Sequence, residues 1–322
     1  MKAKISVVLA TYNGALYLNE QLESVVNQTV VPFEIIVSDD GSTDKTKEIV
    51  ESFVSKYSFI YWHDNTCHGV NENFENGLRH ATGDYIAFCD QDDIWSLNKL
   101  ETLLDKIGSN SLIYSRSELI DQHGDMIARP IEDVFSISRF TAELSPLYFL
   151  NFNCISGHAM MFNRELADKV VPFSSYVMYD QWIAMIAACT DSISYVDEAL
   201  VMHRIHDSNT HNNFSLRNIK ANAASKSSRY LSSQQRLSNL IDDLLDREVL
   251  VQEQYLAVLT EYKKKLLRTE FNFLNISLFQ LLKTNSNWFF ANQNNVRKRL
   301  FKLIRGNKYY RFVDLLKGRG VK

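Results

Sequence analysis

Along the first two hundred positions, apolar residues fall in short runs, each ending in a polar cluster. Ile5-Ser6-Val7-Val8-Leu9-Ala10 runs into Thr11-Tyr12-Asn13-Gly14. Phe33 to Val37 runs into Ser38-Asp39-Asp40-Gly41-Ser42-Thr43-Asp44. Tyr85 to Cys89, behind Gly83-Asp84, runs into Asp90-Gln91-Asp92-Asp93-Ile94-Trp95. Runs of this length, apolar on both faces, predict buried strands of a parallel sheet. Between them the spacing turns helical, through Leu16, Leu18, Leu22, Val25 and Val26, and then through Ile49, Phe53 and Val54 with Ser42 as a candidate N-cap. Phe59 to Trp62 predicts a third strand, and a helix over 71–80 leads to the strand before Asp90. Strand alternating with helix predicts an α/β fold built on a doubly wound, mostly parallel sheet.

Beyond Trp95 the pattern predicts a helix to Ile107, a strand at Leu112-Ile113-Tyr114 and a hairpin turn at Asp121-Gln122-His123-Gly124. A helix over Arg139 to Leu150 follows, then a strand through Met160-Met161-Phe162 and helices opening at Asn163 and at Tyr179-Asp180. Ile193 to Val196 and Leu200 to Met202 are two short strands. Near Ser208 the composition changes. From Leu216 to Leu282 the chain lacks Pro and Gly and is periodic. It predicts a pair of helices, or one long helix and a shorter one, packed on the first part of the chain or on a second copy. Residues 1–210 thus form one domain and 211–322 a helical C-terminal region.

The 322 residues suffice for one large domain or two moderate ones, and 45% apolar with 12% aromatic content excludes disorder. The net charge of −3 hides an asymmetry. Val296 to Lys322 holds ten Lys and Arg against one carboxylate, Asp314, which points to an anionic partner. Cys67, Cys89, Cys154 and Cys189 have no metal or disulfide spacing and read as reduced thiols of a cytosolic protein. The apolar run after Met1 stops at Thr11, too early for a signal peptide, and no run approaches the roughly 18 residues of a membrane span.

The polar clusters all fall at strand exits, where open α/β sheets bind ligands. In extended chain, residues two apart point the same way, so Asp90 and Asp92 aim at one point. Crowded carboxylates raise each other's pKa unless a positive charge sits between them. Mg²⁺ or Mn²⁺ suits such oxygen ligands, and a nucleotide diphosphate would complete its shell. Asp93 points to the other side.

Ala10-Thr11-Tyr12-Asn13, Asp39-Asp40-Gly41-Ser42-Thr43-Asp44, Gly83-Asp84-Tyr85-Ile86 and Asp90-Gln91-Asp92-Asp93 together resemble the family-2 inverting glycosyltransferases with the GT-A fold, over roughly residues 4 to 210. Cys89 to Trp95 and Met160 to Leu166 are most similar to bacterial rhamnosyltransferases of cell-wall and capsule polysaccharides. The resemblance implies transfer of a sugar, L-rhamnose from dTDP-rhamnose, to a growing glycan, with another UDP- or dTDP-hexose as the alternative. Thr11, Tyr12 and Asn13 would line the base pocket, with Asp39 accepting the base N3–H and Asp40 supporting the ribose or its loop. Asn73 and Arg79 would reach the nucleotide or steady its loop, or Arg79 would face solvent. Asp92 would ligate the metal, with Asp90 on the ribose or on a metal-bound water and His206 near the metal or diphosphate. Arg204 would meet a phosphate oxygen. Asp180 matches the family's general base; taken alone it reads as a helix N-cap. Gly157 and His158 would shape the acceptor site, and Trp182 would stack on the acceptor or sit in the core.

In the tail, Val296, Leu300, Phe301, Leu303 and Ile304 alternate with basic residues at helical spacing. A basic amphipathic helix suits the inner membrane surface, where a lipid-linked acceptor sits, and implies a cytoplasmic, peripherally attached protein. No nucleic-acid fold precedes the tail. A homodimer remains open. The competing functions are a nucleotidyltransferase, which needs a Gly-rich basic loop that Thr11-Tyr12-Asn13-Gly14 lacks, and a silent sugar-nucleotide or glycan-binding subunit.

Overall fold

A computed structural model describes residues 3–190, 192–206, 226–247, 251–267 and 272–316. Its centre is a single eight-stranded sheet in the order β3-β2-β1-β4-β7-β6-β8-β5. The strands are β1 (Ile5–Thr11), β2 (Glu34–Asp39), β3 (Ile60–Asp64), β4 (Tyr85–Cys89), β5 (Ile94–Trp95), β6 (Leu112–Ile120), β7 (Met160–Asn163) and β8 (Ile193–Arg204). β1 to β4 pair in parallel, with Thr11 opposite Asp39 and Leu9 opposite Cys89. The chain steps outward from β1 to β3 and returns on the other side of β1 as β4. That reversal opens a crevice at the carboxyl ends of β1, β2 and β4.

The rest of the sheet is mixed. β7 runs antiparallel to β4 and β6, β8 is parallel to β6, and β5 is antiparallel to β8. Two of these pairings build the site. Ala87 opposite Met161 brings the turn before β7 to the end of β4. Ile94 opposite Met202 brings the acidic loop after β4 to the end of β8.

Adjacent strand residues face opposite layers, as the pleat requires. Val7, Leu9 and Val37 pack with α1 (Leu18–Val26), α2 (Thr46–Val54) and α4 (Lys99–Lys106). Val8, Ile36 and Phe88 pack with α3 (Val70–His80), α7 (Arg164–Val170) and α8 (Tyr179–Ala188). The helices Lys226–Leu245, Glu253–Leu267 and Ile276–Thr284 join this second cluster through Leu240, Leu259 and Leu278. The C-terminal region therefore buries its apolar stripes on the sheet domain. Three helices stand where two were expected, and the start of the predicted stretch, 216–225, lies outside the described residues.

Other local differences have plain causes. The helix expected over Arg139–Leu150 shrinks to α6 (Pro146–Phe149), after the short α5 (Ile131–Phe135). Pro146 has no N–H for an earlier turn and holds Ser145 extended. The two strands expected after Ile193 are one strand of 12 residues, kept continuous across a bulge opposite Arg116. Ser42 caps nothing. α2 begins at Thr46, whose N–H donates to Asp44 Oδ1 at 2.9 Å, while Ser42 is drawn into the loop after β2.

Candidate active site at the strand ends

The crevice has a rigid wall made from three loops. Asp39 ends β2 and is buried. Its Oδ2 accepts from Gly41 N at 3.0 Å and Ser42 N at 2.7 Å, and its Oδ1 from Thr11 Oγ1 at 2.9 Å and Ser42 Oγ at 2.5 Å. Asn13 turns into the left-handed region at φ 48°, donates its N–H to Ser42 Oγ and accepts from Thr43 N, both at 2.8 Å. Asn73, on α3, donates to Thr11 O at 3.0 Å and accepts from Ser38 Oγ at 2.7 Å. Asp40 accepts from Asn65 Nδ2 at 2.9 Å and Gly69 N at 3.0 Å, fixing the loop before α3. Against this wall Tyr12 stands 56% exposed, its ring free to meet a flat ligand. Gln91 clamps its backbone, accepting from Tyr12 N at 2.8 Å and donating to Tyr12 O at 3.1 Å.

The acidic loop divides by direction. Asp92 meets His206, with Oδ2 and Nε2 2.9 Å apart. Burial raises its pKa and the Asp93 and Asp90 charges add to the rise, with the His206 hydrogen bond acting against them. Asp93 is fully buried. Its Oδ1 accepts from Arg204 N at 3.0 Å and lies 2.9 Å from His203 Nδ1, and its Oδ2 is 3.6 Å from His158 Nδ1. The His158 and His203 rings stack at 4.4 Å. Burial works against charge on His203, but Asp93 outweighs it and holds the imidazole up at about 9. Burial likewise disfavours the Asp93 carboxylate, yet the two histidines keep it well below the usual range. Asp93 and His203 are thus an ion pair at neutral pH. Asp90 stays one-third exposed at the end of β4, 3.5 Å from His158 Nδ1.

Among the described residues, the His and carboxylate group whose ligand atoms all lie within 4.8 Å is Asp93, His158 and His203. Its oxygen and nitrogen atoms largely serve one another, and a protonated His203 is no ligand. By donor chemistry a divalent cation suits Asp92, Asp90 and His206 better, although their ligand atoms are not gathered within 4.8 Å as those of the first group are. There the Asp90 and Asp93 charges act on Asp92, Asp90 is one-third exposed, and the donors are hard oxygens with one imidazole.

Asp180 sits in the first turn of α8, where Met178 occupies the cap position. Its Oδ1 accepts from Gln181 N at 2.6 Å, and Gly157 N also donates to the carboxylate. Burial, helped by the Asp90 charge, overrides these bonds and lifts its pKa to about 7. A helix N-terminus favours the ionised carboxylate, and here desolvation outweighs it.

Residues 6–171 match the family described as Glycosyl transferase family 2, slightly more than half of the chain. The chain belongs to glycosyl transferase family 2. An uncharacterized glycosyltransferase of Rickettsia typhi is 30% identical over 218 residues, 65% of this chain and 66% of the relative. The match thus spans just under two thirds of that relative's length. Staphylococcus aureus TarS 1-349 in complex with UDP-GlcNAc superposes with a TM-score of 0.60 at 18% identity, covering 98% of this chain and 89% of that one. The mannosyltransferase PcManGT of Pyrobaculum calidifontis, in complex with GDP-Man and Mn²⁺, gives 0.53 at 16% identity over 99% and 82%. Both likenesses concern the fold, a GT-A-like sheet flanked by helices.

Within this family-2 framework the structure gathers Thr11, Tyr12, Asn13, Asp39, Asp40, Asp90, Asp92, Asp180 and His206 at the strand ends, and it moves others away. Arg79 follows its second reading and is exposed to solvent. It pairs with Glu75 Oε1 at 2.6 Å at the far end of α3, beside the starts of β2 and β4. Trp182 is a core residue, fully buried, with Nε1 donating to Val170 O at 2.9 Å, so it offers no acceptor platform. His158 is buried against Asp93 and donates to or accepts from Ser117 Oγ at 3.0 Å, which takes it out of the acceptor surface. Gly157 is packed under Tyr179: a Cβ there would lie 2.0 Å from the phenol oxygen. Arg204 is engaged by Glu20 Oε2 at 2.6 Å and Asp92 O at 2.8 Å, with Tyr17 under its guanidinium, rather than held out for a phosphate. Asn73 acts on the loop, not on a ligand.

Four supporting residues were not anticipated: Gln91, Glu20, Tyr17 and Lys99. Lys99 is fully buried, its Nζ 3.3 Å from the Trp95 ring centroid and bonded to His158 O. Burial brings its pKa down to about 7 against the pull of Cys89 and the acids. Of the four, only Gln91 lay in a stretch that the sequence singled out, between Asp90 and Asp92.

Proposed function

We propose that this chain is an inverting glycosyltransferase that uses Mg²⁺ or Mn²⁺ and carries a sugar from a nucleotide diphosphate to an acceptor hydroxyl. The observation that carries this reading is the meeting of Asp180, poised near neutrality, with Asp90 and the Asp92–His206 pair in one crevice. Tyr12 presents its ring to the base, while Asp39 and Asn13 keep the loop in shape for it. Asp39 already accepts four bonds from the protein, so base and ribose recognition falls to backbone groups of this loop and to Asp40. Asp90, Asp92 and His206 would hold the cation, which supplies charge for the departing diphosphate. The Asp93–His203 pair fixes the loop from below. Asp180 takes the acceptor proton at a carboxylate oxygen, and its raised pKa matches it to that task near pH 7.

The fold likeness to TarS with UDP-GlcNAc and to PcManGT with GDP-Man and Mn²⁺ supports a nucleotide-sugar donor and a metal. The motif resemblance supports L-rhamnose from dTDP-rhamnose as the donor sugar. A lipid-linked bacterial cell-wall or capsular glycan would be the acceptor, reached from the cytoplasmic face of the membrane. Donor choice is tested by isothermal titration of dTDP-rhamnose, UDP-GlcNAc and GDP-mannose in the presence of Mn²⁺. Tightest binding of dTDP-rhamnose, with turnover lost in Asp180→Asn, is the expected result. Tightest binding of another donor overturns the rhamnose assignment, and no binding of any donor overturns the reaction.

A further inference from the structure

One surface of the C-terminal helices plays no part in the crevice. Phe273, Leu274 and Ile276, 48%, 43% and 69% exposed, enter the helix Ile276–Thr284. Backbone bonds pin this entry segment to the last two helices, Val296–Leu303 and Asn307–Leu316: Gly306 N donates to Phe273 O at 3.0 Å and Asn275 N to Ile304 O at 2.8 Å. The Phe312 ring lies 6.3 Å from that of Phe273 and is half exposed. Phe301, also half exposed, lies 6.2 Å from Phe279, one turn after Ile276 on the same helix. Three elements thus present a connected run of exposed rings and aliphatics. Single exposed apolar side chains need no explanation; a connected run does.

The charges around it choose the occupant. Residues 272–316 contain eight Lys and Arg and a single carboxylate, Asp314, which is fully buried. Lys298, Lys302, Lys308 and Arg311 are exposed on the same two helices as Phe301 and Phe312. A second copy placed on this face would set cations against cations. An anionic bilayer accepts both features, with lipid phosphates meeting the cations while the rings enter the acyl boundary. No helix among the described residues is long and apolar enough to cross a membrane.

We propose that this composite face, built from the entry segment at Phe273–Ile276 and the last two helices, docks the protein on an anionic bilayer surface. The tail alone was expected to do so as one amphipathic helix. The structure splits it at Gly306 and adds a second, non-contiguous apolar element. The assignment does not depend on which reaction the crevice performs.

The test is sedimentation of the full chain with phosphatidylcholine vesicles, with and without phosphatidylglycerol. Binding is expected only with phosphatidylglycerol and should fade as salt rises. Lys302→Gln with Lys308→Gln should lower the partition about fivefold per cation, about 25-fold together. Phe273→Ser with Ile276→Ser keeps every charge and should lower it at least about tenfold. All four positions are exposed or form the segment's outer side, and circular dichroism checks the fold of each variant. Equal binding to neutral vesicles, no binding to anionic ones, or indifference to both double variants would overturn the proposal. So would a dimer that the serine pair dissolves, or an oligonucleotide bound through the same side chains by a chain that ignores vesicles.

Discussion

Replacing Asp180 by Asn probes the proposed chemistry and the physics of the site at once. Asn keeps the size and an acceptor for Gln181 N, which donates at 2.6 Å, but it cannot take a proton. A positioned general base contributes about 10²–10⁴-fold. Asp180→Asn should therefore lower kcat by that range while leaving the donor Kd within about twofold, since the donor is held by other loops. With a pKa of about 7, the native carboxylate is about half ionised at pH 7 and about one-tenth ionised at pH 6. Native turnover should thus fall about tenfold per pH unit below 7.

The same shift has a consequence that needs no substrate. Its pKa is raised from 3.8 to about 7, so Asp180 favours the folded state while protonated and loses that contribution as pH climbs through this window. Three units at about 1.36 kcal/mol each set a ceiling of about 4 kcal/mol; partial access to water reduces it to on the order of 1–2 kcal/mol. The Asn variant never ionises. It should match the native protein in thermal stability near pH 4 and exceed it by a few degrees at pH 8. Pre-steady-state transfer assays and calorimetric scans across pH read the two effects separately. A variant with near-native turnover, or one less stable than native at pH 8, would refute the assignment of a desolvated base.

Asp92→Asn and His206→Ala should each weaken Mn²⁺ binding, read by titration with a nucleoside diphosphate, by about 10- to 100-fold. At Gly14 an added Cβ would lie 2.2 Å from Gln91 Oε1, so Gly14→Ala must displace the clamp on Tyr12. Gly14→Ala and Gln91→Ala should each raise the donor Kd, and the double variant should add little, because both act through one contact. Trp182→Ala should lose about 3–5 kcal/mol of stability in denaturant titration, whereas Arg79→Ala should leave donor binding and turnover unchanged.

The first half of the fold was legible because β1, β2 and β4 are buried on both faces and each exit is polar, so that period and punctuation coincide. β6 and β8 were harder. Only the first residues of β6 are uniformly apolar; Arg116 and Glu118 interrupt the rest, and pairing with β8 carries the strand on to Ile120. The long strand of β8 read as two because Asp197-Glu198 looks like a break, yet pairing with β6 resumes at Ala199 across the bulge. The antiparallel insertion of β7 has no local signal at all. It depends on which strand has a free edge, a property of the whole sheet.

In the site, the clustering of acids was readable, but their directions and burial were not. Residues 91–92 form a bend, so the alternation expected of extended chain does not hold: His158 Nδ1 lies 3.5 Å from Asp90 Oδ2 and 3.6 Å from Asp93 Oδ2, while Asp92 turns to His206. What each side chain of the loop meets depends on what β8 and the turn before β7 bring to it. Gln91 reaches the backbone of the first loop, and Asp93 finds two histidines 65 and 110 residues further on. Of the two, only His158 was singled out in sequence, and for the acceptor site through the family resemblance. In three dimensions, Asp93 spends its charge holding His203 protonated beneath the loop. On the outer side Asp92 is paired with His206, while Asp90 lies beside His158 and is one-third exposed. On the proposed function, these outer carboxylates receive a cation from the crevice side. Replacing His203 with Phe would leave the buried Asp93 with only the Arg204 N–H and His158 beside it, and should loosen the loop before it altered the affinity of an intact site. Mn²⁺ titration and hydrogen exchange at Ile94 and Trp95 would distinguish that order of events from direct ligation by His203.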